Sequence, residues 1–390
     1  MTGGLSPRLS AEVGGYAERA AADGAGRPPD WGKRAAVHGT RPTKAEALPA
    51  APARPTAPLW LRRALVATLT SPAPAWAARR WGLGLGARRY VAGPALEDAM
   101  GVVRRLGATG MGASLNLLGE GSPGAAGARS AAQTYREALE RLRGEGLDAG
   151  LSVKPSQFGA RGGEAGPALR AVLEAAAAAG RFVWLDMEGS AHTSATVDLA
   201  IAARAAGLPA GVCLQAYLRR TPDDLRRVDA AGVPVRLVKG AYAETPAVAY
   251  AKRTEIDRAF AGLVEERLRA GRFTAVATHD ERMLRHVLGL ASSGARRDAF
   301  ELQFLYGIRP QRQRELAAEG WPVRVYVPFG PDWYPYFVRR IAERPANLLL
   351  LVGDLAAWAV RPRRRAAPVP ADLARERRRR PWYRPSATKR

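Results

Sequence analysis

Eight short apolar segments alternate with longer helical patterns through the central part of this chain, and no other feature restricts its fold as strongly. The predicted strands are residues 113–118, 149–154, 182–187, 211–217, 235–239, 274–278, 301–305 and 323–327. Helical patterns occur at residues 96–106, 130–143, 167–178, 194–206, 246–269, 281–290 and 311–319. Eight strand–helix units over about 250 residues predict a closed β/α barrel. An open doubly wound sheet is the alternative, weakened because no Gly-x-Gly-x-x-Gly turn follows an early strand.

Polar residues stand at the carboxyl ends of most of these predicted strands. They are Lys154, Asp186, Gln215, Tyr217, Arg236, Lys239, Tyr242, Thr278, His279 and Tyr326. In a β/α barrel these ends meet on one face, where the chemistry takes place. Because most of the charged members are cationic, we expect an anionic ligand that carries a carboxylate, a phosphate or both. Gly240 and Ala241 would let such a ligand approach the backbone closely.

The segment at residues 330–347, GPDWYPYFVRRIAERPAN, follows the last predicted strand and has a helical pattern. Its helical spacing puts Tyr336, Arg339, Arg340 and Glu343 on one face. Two guanidinium groups held by a neighbouring carboxylate can bind a ligand carboxylate bidentately. An ion-paired surface helix has the same spacing, so this segment alone leaves both interpretations open.

The charge of the chain is strongly positive, with 60 Lys and Arg against 36 Asp and Glu. Residues 361–390 contain twelve Lys or Arg and two acids, which accounts for about ten of the 24 net charges. We expect a disordered basic tail there, and a disordered extension at residues 1–58, which are rich in Ala, Gly and Pro. The predicted barrel domain is therefore residues 59–360.

Several classes of function are disfavoured by composition. The single cysteine, Cys213, excludes a disulfide within the chain and suits a reducing compartment. The four histidines lack metal-ligand spacing, so we expect no metal. The longest apolar run, residues 348–360, is too short to span a membrane. The basic charge would suit nucleic acid, but no nucleic-acid motif is present and we expect no such partner.

In order along the chain, SVK, LDME, LQAY, RLVKGAY, ATHD, LQFLYG and VYVPFG, followed by WYPYFVRRIAERPAN, resemble the proline dehydrogenase family. The resemblance is to its single-function bacterial members and covers about residues 59–360. It implies a distorted (β/α)8 barrel with N-terminal helices and a final helix over the barrel mouth. It also implies FAD-dependent oxidation of L-proline to Δ1-pyrroline-5-carboxylate, the first step of proline catabolism to glutamate. A hydride would pass from proline C5 to N5 of FAD.

The same resemblance implies roles for the residues at matching positions. Asp186 and Arg236 would be catalytic. The residues that would bind proline are Lys154, Tyr242, Leu305, Tyr326, Tyr336, Arg339, Arg340 and Glu343, the last of which orients the arginines. Contacts to FAD would come from Met187, Gln215, Arg236, Lys239, Gly240, Ala241, Thr278 and His279. Asn116 departs from the family, which usually has Asp at this position.

The partners implied by the resemblance are L-proline, a membrane quinone as electron acceptor, and a functional link to a separate pyrroline-5-carboxylate dehydrogenase. We expect a cytoplasmic protein, and a peripheral association with the inner face of the membrane stays open. Another FAD-dependent barrel oxidoreductase, of the methylenetetrahydrofolate reductase type, is the alternative function. That class should not need the paired arginines at positions 339 and 340.

Overall fold

The structure is a computed structural model that describes residues 86–119, 124–159, 166–292 and 299–343. The predicted extension at residues 1–58, the predicted helices before residue 86 and the basic tail lie outside the described residues. The side chain of Glu343 also lies outside them. The remaining chain contains the predicted barrel.

Strands and helices alternate along the described chain, after a short 3-10 helix at Ala87–Arg89. The strands are β1 (Gly112–Leu117), β2 (Ala149–Val153), β3 (Val183–Leu185), β4 (Ala210–Gln215), β5 (Val235–Val238), β6 (Thr274–Ala277), β7 (Phe300–Leu305) and β8 (Val323–Phe329). The helices are α1 (Leu96–Ala108), α2 (Gly124–Gly144), α3 (Pro167–Ala178), α4 (Thr193–Ala205), α5 (Thr221–Ala230), α6 (Arg253–Arg269), α7 (Glu281–Ser292), α8 (Pro310–Ala318) and α9 (Trp333–Glu343).

The eight strands form a closed parallel barrel in sequence order, and β1 pairs with β8 to complete it. This confirms the predicted barrel and excludes the open sheet. Helix α3 shows how the pattern specifies an element. Pro167 starts the helix, where a missing N–H costs nothing, and one face of the helix is buried in the core. The predicted bounds of this helix agree with the structure residue for residue.

Two predicted helix starts were wrong. Helix α2 begins at Gly124 and not at residue 130. Helix α6 begins at Arg253 and not at residue 246, because the preceding loop bonds to the chain after β4. The backbone N–H of Arg219 donates to Val248 O at 2.9 Å, and that of Tyr250 donates to Tyr217 O at 2.8 Å. Helix α5 was not predicted, since its apolar pattern is short and many of its residues are charged.

Apolar side chains fill the space between the strands and the outer helices, whereas much of the barrel interior is polar. The buried polar residues on the strands include Ser114, Asn116, Ser152, Arg236, Glu301, Gln303 and Arg324. Branched apolar residues usually dominate this space in β/α barrels. Buried polar groups are costly unless they are hydrogen-bonded. The barrel therefore depends on polar pairing inside the ring of strands.

The amino-terminal end of the barrel interior is closed by an ion pair between Arg324 on β8 and Glu301 on β7. Arg324 Nε lies 3.0 Å from a Glu301 oxygen, Nη1 donates to Ala113 O at 2.9 Å, and Nη2 donates to Asp148 at 3.2 Å. A Cβ atom on Gly112 would lie 2.7 Å from Arg324 Nη1. Glycine at this position thus makes room for a guanidinium that three hydrogen-bonding partners hold in place.

We predict that Gly112→Ala destabilises the fold by about 1 to 3 kcal/mol, because the added methyl group displaces the Arg324 guanidinium. Gly262→Ala is the matched control. Gly262 is exposed within α6, and a Cβ atom there would meet nothing within 4 Å. The control should gain about 0.5 to 1 kcal/mol from the lower backbone entropy of alanine. Denaturant unfolding of both variants measures this, and equal stability of Gly112→Ala and wild type would contradict the packing.

Candidate active site

Asp186 lies at the carboxyl end of the barrel, directly after β3, and accepts three hydrogen bonds. Ser152 Oγ donates to its Oδ1 at 2.7 Å, and Arg236 Nη1 donates to the same oxygen at 2.6 Å. Tyr326 donates from its hydroxyl to Oδ2 at 2.9 Å. Both carboxylate oxygens are therefore occupied. Strands β2, β5 and β8 each supply a donor, so the position of Asp186 depends on barrel closure.

Arg236 is 3% exposed and lies at the centre of the same group. Its Nε donates to Gln303 Oε1 at 2.6 Å, and Nη1 donates to Ser152 Oγ at 2.8 Å as well as to Asp186. Its Cζ lies 4.7 Å from the centroid of the Trp184 ring, a cation–π contact. Nη2 is buried and has no hydrogen-bond partner in the described part of the chain. This nitrogen can still donate two hydrogen bonds to a ligand.

Tyr326 on β8 belongs to the same group. Burial raises the pKa of its phenol well above the ordinary value of 10, and the neighbouring Asp186 carboxylate raises the pKa further. The hydroxyl therefore stays protonated near neutral pH and donates to Asp186. Its ring also lies 5.8 Å from Arg236 Cζ, measured to the ring centroid. Tyr326 is thus a fixed wall of the barrel mouth.

Lys239 follows β5 and lies between two carboxylates contributed by neighbouring segments. Its Nζ bonds to Asp257 on α6 and, at 2.8 Å, to Asp280 just before α7. Burial alone would raise the pKa of Asp280. Hydrogen bonds and charge from Lys239 and Arg282 outweigh burial and lower that pKa to about 2. The ammonium group thus ties the loops after β5 and β6 together.

The remaining residues predicted to contact a cofactor lie around the same mouth. Gly240 has a φ of 114°, and a Cβ atom there would lie 2.2 Å from Tyr217 Cδ1, so the position requires glycine. Gln215 Nε2 donates to Glu188 O at 2.9 Å. His279 Nε2 accepts the backbone N–H of Leu305 at 2.9 Å. Met187 and Thr278 are buried, whereas Ala241 is exposed.

Helix α9 brings its aromatic and basic residues to the barrel mouth. Tyr336 is buried, and Arg340 Cζ lies 5.4 Å from the centroid of its ring. Arg339 and Tyr336 line a cavity of about 200 Å³ together with Leu118, Gly119, Asp332 and Pro335. The helix therefore sits at the end of the barrel that carries the polar strand ends.

The structure brings some of the predicted site residues into direct contact. Asp186, Arg236 and Tyr326 form one hydrogen-bonded group. Lys154 follows β2, and the β2–β3 register places it beside the Asp186 position. Tyr242, predicted to line the substrate ring, is 42% exposed. The assigned roles of these residues stay predictions.

Ser152 and Gln303 belong to the site and were missed from the sequence. Each stands two residues before a predicted site residue, Lys154 and Leu305 respectively, and therefore on the same strand face. Both residues can be found by following the alternation of side chains between the two strand faces backwards from the polar strand ends. Asn116 is also buried near them, and its Nδ2 donates to Ser152 O at 2.9 Å. An Asp carboxylate at this position could not donate that bond.

The fold and this mouth define a β/α-barrel protein with buried and partly buried ion pairs at the carboxyl ends of its strands. The family model described as "Proline dehydrogenase" matches residues 99–349. Proline dehydrogenase 1 of Bacillus subtilis subsp. natto is 40% identical over 273 residues, 69% of this chain and 90% of that protein. Proline dehydrogenase of Deinococcus radiodurans is 38% identical over 282 residues, 70% of this chain and 90% of that protein. The chain belongs to the proline dehydrogenase family, whose members are flavin enzymes.

A solved structure supports the same fold. Proline utilization A from Bdellovibrio bacteriovorus, inactivated by N-propargylglycine, matches with a TM-score of 0.64 and 22% identity. The match covers 76% of this chain and 38% of that one, so this chain spans just over a third of the larger protein. At this identity the likeness concerns the fold alone. The family match favours the proline dehydrogenase interpretation over the methylenetetrahydrofolate reductase type.

We predict that Asp280→Asn destabilises the protein in a pH-dependent manner. The folded-state pKa of Asp280 is about 2, below its ordinary value of 3.8. A lowered pKa stabilises the fold above pH 4, and this contribution is lost as the pH falls toward 2. The free energy of unfolding of wild type should exceed that of the variant by on the order of 2 kcal/mol at pH 6, and by less at pH 3.

Denaturant unfolding from pH 3 to pH 6 tests this prediction. Asp198→Asn serves as the control, because Asp198 forms an exposed ion pair with Arg227. The control should change stability by less than about 0.5 kcal/mol. A stability difference between wild type and Asp280→Asn that is the same at every pH would contradict the assigned ion pairing.

Proposed function

We propose that this chain oxidises L-proline to Δ1-pyrroline-5-carboxylate with FAD as its cofactor. The observation that carries the proposal is the buried Arg236 guanidinium, whose Nη2 has no partner in the described chain. Membership of the proline dehydrogenase family supports the same reaction. In this role the chain carries out the first step in the conversion of proline to glutamate.

Arg236 fits the flavin-binding role proposed for it. Its Nη2 can donate hydrogen bonds, and its positive charge would stabilise negative charge that develops on a reduced flavin ring. When bound, FAD supplies the two-electron oxidation by accepting hydride from the carbon beside the proline nitrogen. Met187, Gln215, Lys239, Gly240, Ala241, Thr278 and His279 would hold the rest of the cofactor.

Lys154, Arg339 and Arg340 would bind the proline carboxylate. Three cations around one carboxylate give charge-assisted hydrogen bonds, which are shorter and stronger than neutral ones. Tyr326, Tyr336, Tyr242 and Leu305 would surround the pyrrolidine ring and exclude water. Glu343 would orient the two arginines. The phenol of Tyr326 would also crowd a ring hydroxyl, so we expect proline to be preferred over hydroxyproline.

Asp186 would act by fixing Arg236 and Tyr326. Three protein donors from three strands hydrogen-bond to its carboxylate, which supports a positioning role for Asp186. The proline nitrogen would react as the free amine, with solvent accepting its proton. Asp186 therefore contributes a fixed negative charge that holds the cationic side chain in place.

A membrane quinone is the proposed electron acceptor, and the protein would meet it from the cytoplasmic side as a peripheral protein. In the described ranges, no helix has the length and apolar character required to cross a membrane. The basic residues of the 361–390 segment would attract an anionic lipid surface. The product would pass to a separate pyrroline-5-carboxylate dehydrogenase.

An absorbance spectrum of the purified protein, before and after anaerobic L-proline, tests the function. We predict flavin bands that bleach with proline and persist with the same concentration of glycine, which has no ring carbon to oxidise. Bands that persist with proline would contradict the substrate. A protein that takes up no FAD on reconstitution would contradict the cofactor.

Arg339→Met and Arg340→Met test the proposed carboxylate clamp, which consists of Lys154, Arg339 and Arg340 around the proline carboxylate. Each should raise the KM for proline by about 10- to 100-fold, since hydrogen bonds between charged groups contribute about 1.5 to 3 kcal/mol. Flavin should stay bound in both variants. Arg226→Met is the control, because Arg226 forms an exposed pair with Asp223 on α5. Unchanged proline kinetics in both of these variants would refute the assignment of Arg339 and Arg340 to the proline carboxylate.

A further inference from the structure

A line of hydrogen-bonded side chains runs through the barrel interior from the mouth to the opposite rim. In order it comprises Asp186, Arg236, Gln303, Glu301, Arg324 and Asp148. Asp148 is 45% exposed, whereas the members between it and Asp186 are almost fully buried. The line contains two buried ion pairs, Arg236–Asp186 and Arg324–Glu301, and the Gln303 amide joins them.

The chemistry of its neighbours fixes the orientation of the Gln303 amide. Its Oε1 accepts from Arg236 Nε at 2.6 Å, and its Nε2 donates to a Glu301 oxygen. A guanidinium can only donate hydrogen bonds and an ionised carboxylate can only accept them. Flipping the amide would set N–H against N–H and oxygen against oxygen. Glu301 therefore holds the amide oxygen toward Arg236.

This arrangement leaves Nη2 as the guanidinium nitrogen of Arg236 that has no hydrogen-bond partner in the described chain. Gln303 occupies Nε, while Ser152 and Asp186 occupy Nη1. Trp184 packs against the guanidinium at 4.7 Å. These neighbours block rotation about the end of the side chain, so the N–H bonds of Nη2 point in one fixed direction. The neutral amide also satisfies Nε without adding a second negative charge next to the cation.

We propose that Gln303, oriented by Glu301, is a positioning residue for the oxidation, acting through Arg236. It keeps Nη2 directed at the flavin and leaves part of the positive charge of Arg236 available to the reduced ring. This inference rests on the proposed function, because it requires a flavin in the barrel mouth. It assigns roles to two strand β7 residues outside the carboxylate clamp.

Gln303→Met tests the proposal, since methionine has a similar length but cannot form either hydrogen bond. We expect kcat to fall about tenfold or more, with the KM for proline changed by less than about threefold. The midpoint potential of the bound flavin should move to a lower value, because the reduced ring loses a directed cation. The potential is measured by titration with a chemical reductant, so it does not depend on proline turnover.

Gln313→Met is the matched control. Gln313 is also a buried glutamine, but its Nε2 donates only to the backbone oxygens of Leu305 and Ile308. We expect this variant to lower stability and to leave the flavin potential unchanged. If Gln303→Met does not fold, Gln303→Asn replaces it, since a side chain one methylene shorter cannot span Arg236 and Glu301. It should shift the potential in the same direction.

A double-mutant cycle with Arg236→Met distinguishes positioning from a general structural effect. If Gln303 acts through Arg236, Gln303→Met should cause no further shift in potential in the Arg236→Met background. Additive shifts, or a single Gln303 variant that changes stability alone, would overturn the proposal. Wild-type protein whose flavin is not reduced by proline would instead refute the proposed function, and the potentials would still test the inference.

Discussion

The site depends on the buried ion pair between Arg236 and Asp186. Removing two charges from water costs several kcal/mol per ion, and further hydrogen bonds to both partners offset part of that cost. Ser152, Tyr326 and Gln303 provide those bonds from three other strands. The same bonds set the direction of the guanidinium. Stability and site geometry therefore share one set of contacts.

This dependence explains why the barrel interior is polar. The buried cation at the mouth needs hydrogen-bond partners deeper in the barrel. Those buried polar groups need hydrogen-bond partners of their own, and the series ends at Arg324 and Glu301. Gly112 provides the space that the lower guanidinium occupies. Removing one member of such a pair leaves a buried charge uncompensated, which typically costs about 3 to 5 kcal/mol. A fixed cation needs little reorganisation when charge develops next to it.

The sequence predicts the barrel well because alternating apolar runs and helical patterns are local signals, and the bounds of α3 follow from Pro167 and its apolar face. Long-range contacts set what the pattern could not predict. The loop before α6 forms hydrogen bonds with the chain after β4, so the helix begins later in the sequence than predicted. Lys239 lies between Asp257 and Asp280, which are 18 and 41 residues away. Gln303 resembles any polar strand residue until β5 and β7 are brought together.

We propose that the barrel mouth presents Arg236 Nη2 to the flavin. A crystal structure of the purified protein with FAD bound tests it most directly. We predict that Nη2 lies within about 3.2 Å of a flavin ring atom, with the Gln303 and Asp186 contacts of Arg236 unchanged. A flavin bound away from the mouth, or an Nη2 that bonds to another protein group, would contradict it.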